Sequence, residues 1–123
     1  MDFQSKKAIY LQIADYVCEQ ILLSTWQSKD KVPSVRELAV TLEVNPNTVM
    51  RTYAYLEEKE IIATQRGIGY FVTTSAHQHI LALKQAEFLA TELPQVFHTM
   101  DLLKIDFEHI KQLYNERVNH EKK

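Results

Sequence analysis

Both glycines of this 123-residue chain, Gly67 and Gly69, sit in one tetrapeptide, Arg66-Gly67-Ile68-Gly69, and the rest of the chain has only three prolines. A β architecture with many turns needs residues that tolerate positive φ or preset a reversal at each corner. This scarcity excludes such an architecture and leaves helices as the main building material. The β-prone segments Ile61-Ile62-Ala63-Thr64-Gln65 and Tyr70-Phe71-Val72-Thr73 flank the glycine tetrapeptide. They predict a single hairpin, reversed where glycine makes the reversal cheapest. The expected class is mainly α with a small β-hairpin.

Apolar residues at Ile9, Ile13, Val17 and Ile21 recur at every fourth position and predict a first helix over residues 8–25. Gln12, Asp15, Glu19 and Gln20 fall on its wet side. After the polar break Ser28-Lys29-Asp30-Lys31, the run Val32-Pro33-Ser34-Val35-Arg36-Glu37 has the pattern of a capping box. In such a box the Ser34 hydroxyl accepts from the Glu37 amide, and the Glu37 carboxylate reaches back. The short helix it opens turns Leu38, Ala39 and Leu42 inward and ends near Glu43. Asn45 is an N-cap, and Pro46 suits the first helical position, where its missing N–H costs nothing. Val49, Tyr53 and Leu56 then recur at i, i+4 and i+7. Two short helices joined by a tight turn read as a helix-turn-helix. With the hairpin behind them, residues 1–74 read as a winged helix-turn-helix.

Residues 75–123 return to helix. Ala76, His79, Leu83, Ala86, Ala90, Leu93, Phe97 and Met100 alternate spacings of three and four, like a coiled-coil stripe. Pro94 predicts a kink or a break within it. Asp106 predicts the N-cap of a last helix with Phe107, Ile110, Leu113 and Tyr114 on its apolar side, ahead of a frayed tail. The stripe could be plain core against the first helix, but two helices cannot cover this much apolar surface by themselves, and a second copy of the chain is the natural cover. The residues expected to pair the subunits are Leu83, Ala86, Ala90, Leu93, Phe97, Met100, Ile110 and Tyr114, which makes residues 75–123 a two-helix dimerisation region.

Charge and composition narrow the function. The chain carries 14 basic and 16 acidic side chains, and the two regions are balanced alike, 8 against 9 and 6 against 7. A nucleic acid must therefore be met by a local arrangement, since the global field does not attract one. No glycine-rich phosphate cradle and no nucleophile–base constellation is visible, so no enzyme is expected. His77, His79, His98, His109 and His120 fall into no ligand set by spacing, and no metal or other cofactor is expected. The single cysteine, Cys18, excludes an intramolecular disulfide and reads as a buried thiol in a reducing cytoplasm. Tyr16, Tyr53, Tyr55 and Tyr70 read as packing residues with their hydroxyls at the surface. No apolar run is long enough for a membrane span, and the first seven residues lack a signal-peptide core. No membrane partner is expected.

The segments Ile9-Tyr10-Leu11-Gln12-Ile13-Ala14, Val32-Pro33-Ser34-Val35-Arg36-Glu37-Leu38-Ala39, Val44-Asn45-Pro46-Asn47-Thr48-Val49 and Arg66-Gly67-Ile68-Gly69-Tyr70-Phe71-Val72 resemble the DNA-binding domain of the GntR family of bacterial transcription regulators. They occur in family order and spacing. The shorter remainder, with Leu102-Leu103-Lys104-Ile105-Asp106, is similar to the YtrA subfamily, whose members carry a short helical tail in place of a large ligand-binding domain. The chain departs from the family at Lys29, Glu60 and Lys104, where glycine is usual, and at Met50, where many branches have a base-reading arginine. A non-glycine residue at Glu60 or Lys104 implies either a different helix exit or a cost of about 1 kcal/mol.

In a helix-turn-helix the first turn of the second helix enters the major groove, so Asn47 and Thr48 are expected to reach base edges or phosphates beside the cap at Asn45. Ser34, Arg36 and Arg51 are expected at the phosphate backbone, with solvated salt bridges as the alternative for each arginine. Arg66, Gly67 and Gly69 resemble a wing lying along the minor groove, the alternative being a plain hairpin turn. The resemblance implies a homodimeric regulator, acting as a repressor on a double-stranded inverted-repeat operator in bacterial cytoplasm. It leaves a small-molecule effector open. The alternative is a winged-helix protein–protein interaction module without an operator.

Overall fold

The computed structural model describes residues 7–121, with side chains as far as Asn119. The elements run α1 (Ile9–Leu22), α2 (Val35–Leu42), α3 (Pro46–Glu58), β1 (Ile62–Gln65), β2 (Gly69–Val72), α4 (Ala76–Glu87), α5 (Leu93–Leu103) and α6 (Phe107–Glu121), with a π-helical turn at Phe88–Glu92 ahead of α5. The chain forms two compact units, Met1–Leu83 and Lys84–Lys123. No helix among the described residues is long and apolar enough to cross a membrane.

In the first unit α3 is central and packs against α1, α2 and β1. Val49, Thr52, Tyr53 and Leu56 are fully buried, with Ile13, Val17 and Ile21 from α1 and Leu38 and Ala39 from α2 around them. The same core holds Ala76 and Ile80 of α4. The unit therefore extends past Thr74, where the sequence pattern places the division, because the first turns of α4 complete its apolar interior. Leu83 also packs partly against this core.

Three side chains depart from expectation in this unit. Gln12 lies within the core boundary, 7% exposed, because its amide donates to the Lys7 carbonyl at 2.8 Å and so satisfies the backbone entering α1. Ile9 is exposed instead, one turn short of the packed region. Tyr53 keeps no hydroxyl at the surface. Its O–H donates to the Pro33 carbonyl at 2.6 Å, and its ring meets Tyr70 edge-on at 4.8 Å. Burial, with the neighbouring Tyr70 and Glu37 adding to it, raises the phenol's pKa well above its ordinary range.

The strands pair antiparallel as expected, with Ile62 opposite Val72 and Gln65 opposite Gly69. The segment before α2 adds a short third edge. Lys31 bridges to Phe71, Lys29 donates to the Val72 carbonyl, Val72 donates to Asp30, and Val32 donates to Tyr70. This polar segment has no side-chain alternation to announce a strand, and its pairing rests on backbone groups alone.

The family's glycine positions keep the glycine conformation without the glycine. Lys29, Glu60 and Lys104 have φ of 72°, 60° and 57°. All three positions are thus left-handed with side chains larger than glycine, and the chain bears the strain. At Glu60 the exit is tied down by other bonds. Its carbonyl accepts from the Thr73 hydroxyl at 2.7 Å and lies 3.0 Å from His79 Nδ1.

In the second unit, Pro94 lies in the first turn of α5, directly after the π turn, and the helical path runs on through it. Glu92 and Leu93 both keep helical dihedrals, and the Leu93 N–H bonds back to the Phe88 carbonyl, closing a wide π turn. The extra residue in that turn accommodates a ring that would otherwise crowd the carbonyl four positions back. Lys104 ends α5 left-handed, and Asp106 caps α6 by accepting the His109 N–H at 2.9 Å, as its position in the sequence predicts.

Two stability effects are expected. Tyr53→Phe leaves the Pro33 carbonyl unpaired and lowers unfolding stability by about 1–2 kcal/mol in urea titration. Glu60→Gly relieves left-handed strain while leaving the carbonyl bonds in place, and raises stability by about 1 kcal/mol in the same assay.

Candidate nucleic-acid interface

The α2 start is built as the sequence pattern requires. Ser34 Oγ accepts the Glu37 N–H at 3.1 Å, and the Ser34 N–H donates to Glu37 Oε1 at 2.9 Å. Ser34 is exposed, but the cap already uses its hydroxyl oxygen and its amide. Arg36 follows on the first turn, exposed, beside an open groove that it lines with Val40, Val44 and Pro46. The turn between α2 and α3 therefore puts a cation next to the start of α3.

Asn45 Oδ1 accepts the Asn47 N–H at 2.8 Å, and Pro46 occupies the first turn of α3. Because Val49, Tyr53 and Leu56 face the core, the 3.6-residue period turns Asn47, Met50, Arg51 and Ala54 outward. Thr48 is half-buried at the margin of that face rather than fully outward, one turn before the buried Thr52. The Thr52 hydroxyl lies 2.7 Å from the Tyr10 carbonyl and 3.1 Å from the Thr48 carbonyl, and so pins α3 to α1. Met50 is 57% exposed between Asn47 and Arg51, an apolar side chain in the middle of a polar face. The Arg51 guanidinium lies over the Tyr10 ring, 3.9 Å from its centroid.

The hairpin tip carries Arg66, Gly67 and Ile68, all exposed. Gly67 has φ of 78° and nothing within reach of an added Cβ, so only the backbone conformation calls for glycine there. Gly69 has φ of 141° and lies under the Lys31 side chain, whose Cε would be 2.8 Å from an added Cβ. Lys31 also lies close enough to Glu37 to help lower its pKa. It thus stands between the wing and the α2 cap, a cation that the local sequence pattern does not single out. Contact across the fold, not periodicity, puts it there.

The expected residues therefore group as the α2 start, the outward face of α3 and the wing tip, all within the first unit. Among the described residues, the ion pairs of this unit, Lys7–Asp15 and His79–Glu60, use none of Arg36, Arg51 or Arg66. Cations outside those ion pairs and amide side chains on the exposed face of a helix can bond an anionic polymer that also presents hydrogen-bonding edges. His79 is held at the Glu60 carbonyl, and the side chain of His120 lies outside the described residues. Among the described residues no three of His, Cys, Asp and Glu cluster as metal ligands. Cys18 is buried.

Comparison with known proteins gives one consistent picture. The family model for bacterial regulatory proteins of the gntR family matches residues 9–72. The chain is 47% identical over 74 residues to the HTH-type transcriptional regulator YhcF of Bacillus subtilis, a match covering 60% of this chain and 61% of that protein. It is 32% identical over 116 residues to the HTH-type transcriptional repressor YtrA of the same organism, covering 94% of this chain and 88% of the repressor. Among solved structures, a putative transcriptional regulator of the GntR family from Bacteroides thetaiotaomicron superposes with a TM-score of 0.79 at 42% identity, covering 93% and 99% of the two chains.

The capping box supplies a pH test. The Ser34 backbone N–H, then the Ser34 hydroxyl, hold the Glu37 carboxyl below its ordinary pKa, with Lys31 adding to the effect. A depressed carboxylate stabilises the fold above its unfolded-state pKa and loses that contribution as pH falls through the folded value. The stability difference between wild type and Glu37→Gln should therefore be constant near neutrality and shrink below about pH 4, followed by urea titration across pH.

Proposed function

This chain belongs to the GntR family of bacterial regulatory proteins and, along most of its length, is similar to its YtrA branch. From that membership we propose that it is a sequence-specific DNA-binding transcription repressor, not an enzyme, that acts as a homodimer on an inverted-repeat operator in the bacterial cytoplasm. The observation that carries the reading is the outward face of α3. Its buried side, Val49, Thr52, Tyr53 and Leu56, is fully packed, which leaves Asn47 and Arg51 exposed on the opposite side, in the same unit as the exposed Arg36 and Arg66. In this reading Asn47 and Thr48 read base edges. Ser34, Arg36, Asn45, Arg51 and Lys31 hold the phosphate backbone, and Arg66, Gly67 and Gly69 follow the minor groove.

Support for a dimer comes from the second unit. No residue of the π turn or α5 is buried, and Phe88, Leu89, Val96, Phe97, Leu113 and Tyr114 are exposed. Met100 and Ile110 line an open groove between α5 and α6. A second copy covers such a face and spaces two recognition helices by one DNA turn, about 34 Å. Of the expected pairing residues, Ala86, Ala90, Phe97 and Tyr114 are exposed and Leu93, Met100 and Ile110 half-covered, whereas Leu83 belongs partly to the winged-helix core.

Selection from a random-sequence duplex library by the full-length protein tests the whole reading, and an inverted repeat should emerge. Arg36→Ala should then weaken all sequences about equally and lower the salt slope by about one, while Asn47→Ala shifts which bases are preferred. Sedimentation at micromolar concentration should give a dimer. Phe97→Asp should give a folded monomer whose operator affinity falls by about 10²–10⁴. Failure to retain any DNA would leave the protein-interaction reading, and a wild-type monomer would remove the homodimer.

A further inference from the structure

Tyr10 lies on α1, outside the helix-turn-helix, yet its ring touches the outward face of α3. The Arg51 guanidinium sits 3.9 Å above the ring centroid. The ring is itself braced, with Tyr55 meeting it edge-on at 6.2 Å and 81°. Its backbone is tied to the same helix, since the Tyr10 carbonyl accepts from the Thr52 hydroxyl at 2.7 Å. Tyr10 is thus held to α3 at two points, next to the arginine it supports.

We propose that Tyr10 is a positioning residue for DNA recognition, a platform that holds Arg51 extended for a phosphate oxygen of the operator backbone. The inference rests on the DNA-binding reading of α3. A guanidinium offers its π face for stacking and its in-plane N–H edge for hydrogen bonding, and the two uses do not compete. Stacking on Tyr10 occupies the face alone and leaves the donors available to an oxyanion. An unsupported arginine loses much rotamer freedom when it binds, whereas one already stacked has lost most of it before DNA arrives. Because Tyr10 belongs to α1, the platform holds Arg51 against the α1 flank of α3, one turn beyond Asn47. A contact there sets register and does not read sequence.

The test uses the full-length protein and a duplex selected by the wild type, with folding checked by circular dichroism. Tyr10→Leu should weaken binding about two- to fivefold, the effect of an exposed cation–π contact. Tyr10→Phe keeps the ring and should bind like wild type. In an Arg51→Ala background, Tyr10→Leu should cause no further loss, and Arg51→Ala alone should lower the salt slope by about one. An equal loss from Tyr10→Leu with and without Arg51 would overturn the proposal, since Tyr10 would then act through packing. A loss in Tyr10→Phe would likewise overturn it, in favour of a contact by the hydroxyl. If Arg51→Ala binds like wild type, the proposal fails while the DNA-binding reading stands. If the wild type itself retains no duplex, both fail.

Discussion

The hydroxyl of Tyr53 donates to the Pro33 carbonyl from inside the core and anchors α3, the helix around which the first unit packs, to the segment that leads into α2. Apolar packing alone fixes which side of a helix is buried but constrains its roll and its height along the axis only loosely. A buried hydrogen bond at 2.6 Å fixes both, because missing it would leave a polar atom unsolvated. Thr52 provides the matching constraint on the other flank by bonding the Tyr10 carbonyl of α1. With both flanks set, the face of α3 that carries Asn47, Met50 and Arg51 is turned outward.

The same economy shows at the left-handed positions. Glycine would relax the backbone at Lys29, Glu60 and Lys104, yet the chain keeps these conformations with larger residues. At Glu60 the strained turn is closed by Thr73 and His79, which bond its carbonyl from β2's end and from α4. These bonds join the helix exit to the two elements that follow it, so the turn is stabilised by residues far along the chain and not by its own composition. At Lys29 the strained residue opens the short backbone pairing that carries Lys31 beside Gly69.

The second unit has a different physical basis. Its helices keep their local bonding, with a π turn absorbing Pro94 and Asp106 capping α6, but they bury little of their own apolar surface. Local bonds define its helices, and in the proposed dimer the second copy would supply the burial. That contrast agrees with a division of labour in which one unit has a complete core and the other is completed by assembly.

Much of this was legible in the sequence, wherever the determining interaction spans a few residues. The capping box at Ser34 and Glu37, the Asn45-Pro46 start, the glycine turn and the Asp106 cap are local bonds between neighbours, and their residue types announce them. The buried row of Val49, Tyr53 and Leu56 was legible because a helix repeats every 3.6 residues. Candidate DNA contacts at Arg36 and Asn47 could be named from motif order, while their exposure followed only from the packing of α2 and α3. Tertiary structure alone decided the third edge of the sheet, the burial of Gln12 and the Tyr53 hydroxyl, the place of Lys31 between wing and cap, and the Arg51–Tyr10 stack. Apart from the Gln12 bond to Lys7, five residues back, each joins residues distant in the chain through backbone groups or side-chain ends, which leave no period in a sequence; only the folded chain brings them within bonding distance.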